Sequence, residues 1–103
     1  MYDKRFDNKV RYMNFGILGE AKIAREHVVP AILNAGHTVT HVGRRTPGKE
    51  ALPKIYGSAI ETDYESLIND PSVDAIYNPL PNHLHAPYSI KALKSKKHVL
   101  CEK

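Results

Sequence analysis

A chain of 103 residues with 42% hydrophobic and 25% charged residues can bury one core, and it lacks the bias of a disordered, collagenous or membrane-spanning sequence. Its formal charge of +4, from 15 Lys and Arg against 11 Asp and Glu, is scattered except at Arg44-Arg45 and at Lys91, Lys94, Lys96 and Lys97, short of the dense stripe of a nucleic-acid binder. The single cysteine, Cys101, excludes an internal disulfide and fits a reducing compartment, no apolar run reaches the ~20 residues of a membrane span, and the opening Met-Tyr-Asp-Lys-Arg-Phe-Asp lacks the apolar region of a secretory signal; a cytoplasmic location is expected.

Residues 1–10 are polar and mixed in charge and read as a flexible lead-in to one domain over 11–103. Tyr12, Phe15, Ile17 and Leu18 form a short apolar segment closed by Gly19, which predicts a strand buried on both faces. Ala24, Val28, Ala31, Ile32 and Ala35 then recur with helical spacing up to a stop at Gly36, with Pro30 expected to kink the helix or shift its register. Val39 and Val42 alternate with polar residues over 38–43 as a second strand. Thr46-Pro47 predicts an N-cap and a short helix that Glu50 enters, followed by a third strand around 58–60.

Asp63 is expected to cap a helix carrying Leu67 and Ile68 that ends near Asp70-Pro71. The fourth strand is Asp74-Ala75-Ile76-Tyr77, closed by Asn78-Pro79-Leu80-Pro81-Asn82. A helix over about 84–95 places Ala86, Ile90 and Leu93 on one face and its lysines toward water, and His98-Val99-Leu100-Cys101 is the fifth strand. Strand and helix alternate throughout. The fold class is therefore α/β, a doubly wound parallel sheet of Rossmann type with expected order 3-2-1-4-5 and an open edge at its fifth strand.

A dinucleotide turn uses glycines to bring the backbone close to a pyrophosphate at a helix N-terminus. Gly19 keeps the first of those glycines, while Ala21 and Ala24 stand at the second and third, within Gly19-Glu20-Ala21-Lys22-Ile23-Ala24. The Glu20 carboxylate would repel phosphates there, so it is expected to point outward or to pair with Lys22. At the end of the second strand an acid would bond the ribose 2′-hydroxyl and an arginine would accept a 2′-phosphate. Gly43-Arg44-Arg45-Thr46 has no acid, and an adjacent arginine pair can grip phosphate and stack on adenine, which favours NADP and leaves NAD possible.

The crevice of such a sheet lies beyond the carboxyl ends of its strands, so residues 78–85 and Glu102-Lys103 should face the nicotinamide region. His83 and His85 lack the further ligands of a metal site. Asn82 can instead cap the helix that follows, and Cys101 is expected to be buried packing.

The blocks Gly16-Ile17-Leu18-Gly19-Glu20-Ala21-Lys22-Ile23-Ala24, Asn78-Pro79-Leu80-Pro81-Asn82-His83-Leu84-His85, Ile90-Lys91-Ala92-Leu93 and Lys97-His98-Val99-Leu100-Cys101-Glu102-Lys103 closely resemble, in order and spacing, the N-terminal domain of the glucose-fructose oxidoreductase, inositol dehydrogenase and MocA (Gfo/Idh/MocA) family. The resemblance implies hydride transfer between NAD(P) and a hydroxyl-bearing carbon of a sugar, cyclitol or related diol. It implies that Gly19, Glu20, Ala21, Lys22 and Ile23 hold the pyrophosphate and that Arg44, Arg45 and Thr46 select at the adenosine ribose. It further implies that Pro79, Leu80, Asn82 and His85 line the nicotinamide side, and that Lys103, with Glu102 beside it, assists proton transfer as the catalytic residue.

In the family a proline, a sixth strand and a second domain with the substrate pocket follow the Glu-Lys pair, whereas this sequence stops at Lys103. The expectation is a truncated domain with little or no turnover by itself, its small polyol or sugar substrate engaged only with the missing second domain. Two other readings are a cofactor-binding or regulatory module without catalysis, and a half completed at its open sheet edge by a partner or by its own copy.

Overall fold

The computed structural model describes residues 12–48 and 50–101. The expected lead-in over 1–10 and the Glu102-Lys103 pair lie outside the described residues. Strands β1 (Asn14–Leu18), β2 (Thr38–Gly43), β3 (Ile60–Thr62), β4 (Ala75–Asn78) and β5 (His98–Cys101) form a parallel sheet in the order β3-β2-β1-β4-β5, as the strand–helix alternation predicts. Successive side chains of a strand point to opposite faces, and Ile17 and Leu18 of β1 enter separate cores. Ile17 packs with Val39, Val42, Tyr56 and Tyr77 under the first helix. Leu18 packs with Leu67, Ile68, Ile76 and Ala92 on the other face.

Helix α1 is composite, a π-helical turn over Ala24–Val28 running into an α-helical segment over Val29–Asn34. The register shift expected from Pro30 falls here: Pro30 has no N–H to return to the preceding turn, and that turn is widened, with the Val29 N–H bonded to the Ala24 carbonyl. At its end the N–H groups of Gly36 and His37 bond to the carbonyls of Leu33 and Ile32, a Schellman arrangement.

No helix follows Thr46-Pro47 among the described residues, contrary to the sequence expectation. The segment is held outward instead: the Gly48 N–H donates to Glu61 Oε1 at 3.1 Å and Arg44 Nη1 donates to the Glu50 carbonyl. A 3-10 turn over Lys54–Tyr56 follows, and its bonds from Gly57 and Ala59 delay β3 by two residues from the expected position. Helix α2 (Tyr64–Asn69) starts as read, with Asp63 Oδ1 accepting from the Ser66 N–H at 2.7 Å. It packs tightly on β1, because a Cβ on Gly16 would lie 2.6 Å from Leu67 Cδ2.

Helix α3 (Asn82–Lys94) presents a different face from the one the sequence predicted. Ala92 is buried, with Leu84 and Tyr88 packed beside it, whereas Ala86 is exposed and Ile90 and Leu93 are 51% and 59% exposed. Polar anchoring decides the orientation. Asn78, fully buried at the end of β4, donates through Nδ2 to the His85 carbonyl (3.2 Å) and to Ser89 Oγ (3.1 Å), and its Oδ1 accepts from the Leu80 N–H (3.1 Å). The Tyr64–Tyr88 edge contact and the Lys91–Glu65 ion pair complete the docking of α3 on α2. No helix among the described residues is long and apolar enough to cross a membrane.

Replacing Asn78 by Ala removes three bonds from a buried position, and the expected loss, read from urea unfolding, is about 2–3 kcal/mol. The Asp63 carboxyl is held below its ordinary value by the backbone and side-chain bonds from Ser66, and that of Asp70 by Ser72. A carboxyl lowered in the folded state adds stability above its unfolded value of about 4 that disappears as pH falls through the folded value. Asp63→Asn keeps an acceptor for Ser66 without titrating, so its thermal midpoint should fall less than that of the wild type when pH drops below about 4.

Candidate functional site

With β2 on one side of β1 and β4 on the other, the connections leave toward opposite faces and a crevice opens beyond the carboxyl ends of these strands. The turn after β1, the loop after β2 and the turn after β4 border it. Gly19 has φ +81°, a left-handed conformation that disfavours any other residue, and its N–H bonds to the Gly43 carbonyl at 2.7 Å. A Cβ here would lie 3.1 Å from Leu80 Cδ2, so the turn is also closely packed against the β4 side. Ala21 is half-buried against the α1 core, and its carbonyl accepts the Arg25 N–H. Lys22 and Ile23 are exposed, and no side chain caps this end of α1, where the helix dipole is positive.

Glu20 neither points outward nor pairs with Lys22. Its carboxylate is drawn into the protein, with Oε1 2.7 Å from Arg25 Nη1 and Oε2 2.5 Å from Arg44 Nη2. Arg44 Nη1 in turn lies 2.9 Å from Glu61 Oε2. The bond to Glu20, ahead of that to Glu61, raises the Arg44 pKa further above its ordinary value, so this guanidinium stays charged. The Tyr56 hydroxyl is buried with no hydrogen-bond partner among the described residues, and burial together with the nearby Glu20 carboxylate pushes its pKa up to about 12.

The two arginines therefore differ. Arg44 has only 13% of its side chain exposed and spans two carboxylates, whereas Arg45 is exposed and carries no ion pair among the described residues. Arg45 and Thr46, both exposed, line an opening of about 300 Å³ with Gly19, Glu20, Glu50 and Tyr64, and Arg44 borders it from the protein side. Tyr64 has its pKa raised by burial, and Arg45 opposes that shift.

On the β4 side, Pro79 is half-buried and Leu80 is buried against Gly19. Asn82 is exposed and is the first residue of α3; Pro81 holds the N-cap position with no side-chain bond, so the capping expected of Asn82 does not occur. His85 is half-buried, and it is its carbonyl that contributes, through the bond from Asn78. Cys101 is exposed rather than buried, with Sγ 2.9 Å from Ser89 Oγ. The pattern of edge strand β5 explains the difference, since Leu100 is also half exposed. Arg25, Glu61, Tyr64 and Ser89 all shape the site without having been marked by sequence motifs, whereas Asn78 stood at the head of the Asn78–His85 block.

The chain matches the oxidoreductase family with an NAD-binding Rossmann fold over residues 13–103. It is 40% identical over 98 residues to a D-xylose 1-dehydrogenase (NADP(+)) of Haloferax volcanii, covering 88% of this chain and 29% of that one. It is 41% identical over 96 residues to a dTDP-3,4-didehydro-2,6-dideoxy-alpha-D-glucose 3-reductase of Streptomyces violaceoruber, covering 91% and 28%. The crystal structure of a 3-ketoreductase from Actinomadura kijaniata in complex with NADP and TDP-benzene superposes with a TM-score of 0.81 at 32% identity, over 90% of this chain and 29% of that one. The chain thus spans under a third of the length of these relatives. With the family match over nearly its whole length, the parallel order β3-β2-β1-β4-β5 and the Gly19 turn at its switch point, the chain belongs to the Gfo/Idh/MocA oxidoreductase family, through that family's NAD-binding Rossmann domain.

Proposed function

We propose that residues 11–103 form the NADP-binding unit of a cytoplasmic oxidoreductase that moves hydride between the nicotinamide and a hydroxyl-bearing carbon of a sugar or related polyol. The observation that carries the choice of cofactor is the exposed Arg45 beside the Gly19 turn in one opening, with the nearby carboxylates of Glu20 and Glu61 turned onto Arg44. The turn fits a dinucleotide: Gly19 is left-handed and tightly packed, α1 begins uncapped, and the misplaced charge of Glu20 is offset by Arg25 and Arg44. The relatives named for D-xylose and for a dTDP-linked deoxysugar support a sugar as the substrate class.

In this reading the backbone from Gly19 to Ile23 orients the pyrophosphate, with Lys22 supplying positive charge from outside. Arg45 and Thr46 hold the adenosine ribose and its 2′-phosphate. Pro79, Leu80, Asn82 and His85 border the nicotinamide side, where the Asn78 bonds hold the turn and Leu80 packs against Gly19. When held there, the cofactor would supply a nicotinamide able to accept or give the hydride. Lys103 is the group assigned to hold the substrate hydroxyl and move its proton, with Glu102 beside it; an ammonium stabilises a developing alkoxide there.

Titration of the chain with NADPH and NADH, followed by nicotinamide fluorescence, tests the reading. Arg45→Ala should weaken NADPH about 10-fold or more, the scale of a lost charge-assisted bond to phosphate, while moving NADH about 2-fold or less. Equal losses for both cofactors, or no binding of either by the wild type, would refute it.

A further inference from the structure

We propose that Glu20 is a specificity-determining residue of the cofactor site, an internal carboxylate that competes with the adenosine 2′-phosphate for Arg44. The inference rests on the NADP reading above and deepens it. Arginine has five N–H donors, and in Arg44 three bonds are already committed, one to Glu20 Oε2, one to Glu61 Oε2 and one to the Glu50 carbonyl. Both terminal nitrogens face carboxylates. A phosphate approaching Arg44 therefore meets a guanidinium whose charge is already matched, and it meets it beside two anions that repel it.

Glu20 and Glu61 hold Arg44 in different ways. Glu61 also accepts the Gly48 N–H, so its carboxylate is fixed to the loop after β2 as well as to Arg44. Glu20 comes from the turn that a dinucleotide must touch, and its second oxygen has Arg25 as a separate partner. Of the two carboxylates, Glu20 is the one that can release Arg44 while keeping a cationic partner. With Glu20 on Arg44, the 2′-phosphate is left to Arg45; with Glu20 withdrawn onto Arg25, both arginines serve it. The residue thereby sets how strongly this site distinguishes a 2′-phosphate from a 2′-hydroxyl.

The test separates that distinction from general repulsion of phosphate. 2′,5′-ADP and 5′-AMP share the adenosine and the 5′-phosphate and differ in the 2′-phosphate. Calorimetric titration of the full chain with each should show Glu20→Gln, which keeps an amide oxygen for the arginines but removes the charge, binding 2′,5′-ADP about 5- to 20-fold more tightly than the wild type with 5′-AMP changed about 2-fold or less. In an Arg44→Ala background the same substitution should give no gain in the ratio of the two affinities. An unchanged ratio in Glu20→Gln, or a gain that persists without Arg44, overturns the proposal while leaving the NADP reading standing. Binding of neither ligand by the wild type removes the NADP reading, and this inference with it. A thermal midpoint for each variant shows that the comparison is made between folded chains, and Glu20→Ala supplies a second neutral variant should Glu20→Gln not fold.

Discussion

The structure depends on the burial of β1 from both sides. Ile17 and Leu18 are adjacent in sequence, both fully buried, and belong to different cores, so this pair of residues holds the two helical layers onto one sheet. Burying such side chains stabilises a fold by roughly 1.5–3 kcal/mol each. The strand is also pinned at its ends. The Asn14 N–H donates to Asp74 Oδ2 and its side-chain Nδ2 to the Ser72 carbonyl, and the Gly19 N–H donates to the Gly43 carbonyl. These bonds hold the register of β1 against β2 and β4 and so place the strand ends that border the crevice.

Two polar devices then organise that crevice. On the β2 side Arg44 joins three strand ends: the turn after β1 through Glu20, its own strand, and β3 through Glu61. On the β4 side Asn78 joins the proline-stiffened turn to α3, and Ser89 passes the connection to Cys101 at the end of β5. Both devices centre on buried or half-buried polar groups that need partners, Arg44 taking its carboxylates from elements distant in sequence and Asn78 taking its partners from the following turn and helix. The apolar cores set where the strands lie, and these polar groups set how their ends face one another.

How much of this was legible in the sequence follows from the range of the interactions involved. The strand order, β2, β5, the Asp63 cap and the Gly19 turn are governed by local period, capping and turn chemistry, and each was readable. The face of α3 was not. Its apolar residues Ala86, Ile90 and Leu93 gave a plausible stripe, but the Asn78 bonds to His85 and Ser89 turn the helix so that Leu84, Tyr88 and Ala92 meet the rest of the protein. The helix read from Thr46-Pro47 failed for a related reason, since Arg44 and Glu61 take the loop's backbone groups away from a helical ladder. The partner of Glu20 was equally hidden. Lys22 is two residues away, Arg44 is twenty-four, and no periodic signal ranks the distant cation above the near one.

That hidden pairing changes what the arginine pair means. Read along the sequence, Arg44 and Arg45 are two equivalent cations at a strand end, able to act together on one phosphate. In the fold they meet two opposed requirements. A clamp across three strand ends has to be matched by anions, or the largely covered guanidinium would be left without compensation. A grip for an incoming phosphate has to remain unmatched, or it would have no charge to offer. One side chain cannot satisfy both at once. Arg44, with its head enclosed by Glu20 and Glu61, satisfies the first, and Arg45, exposed beside Tyr64, satisfies the second. Only an exchange of partners at Glu20 would let Arg44 cross from one role to the other, which makes the least expected residue of the turn the one on which the electrostatics of the site turn.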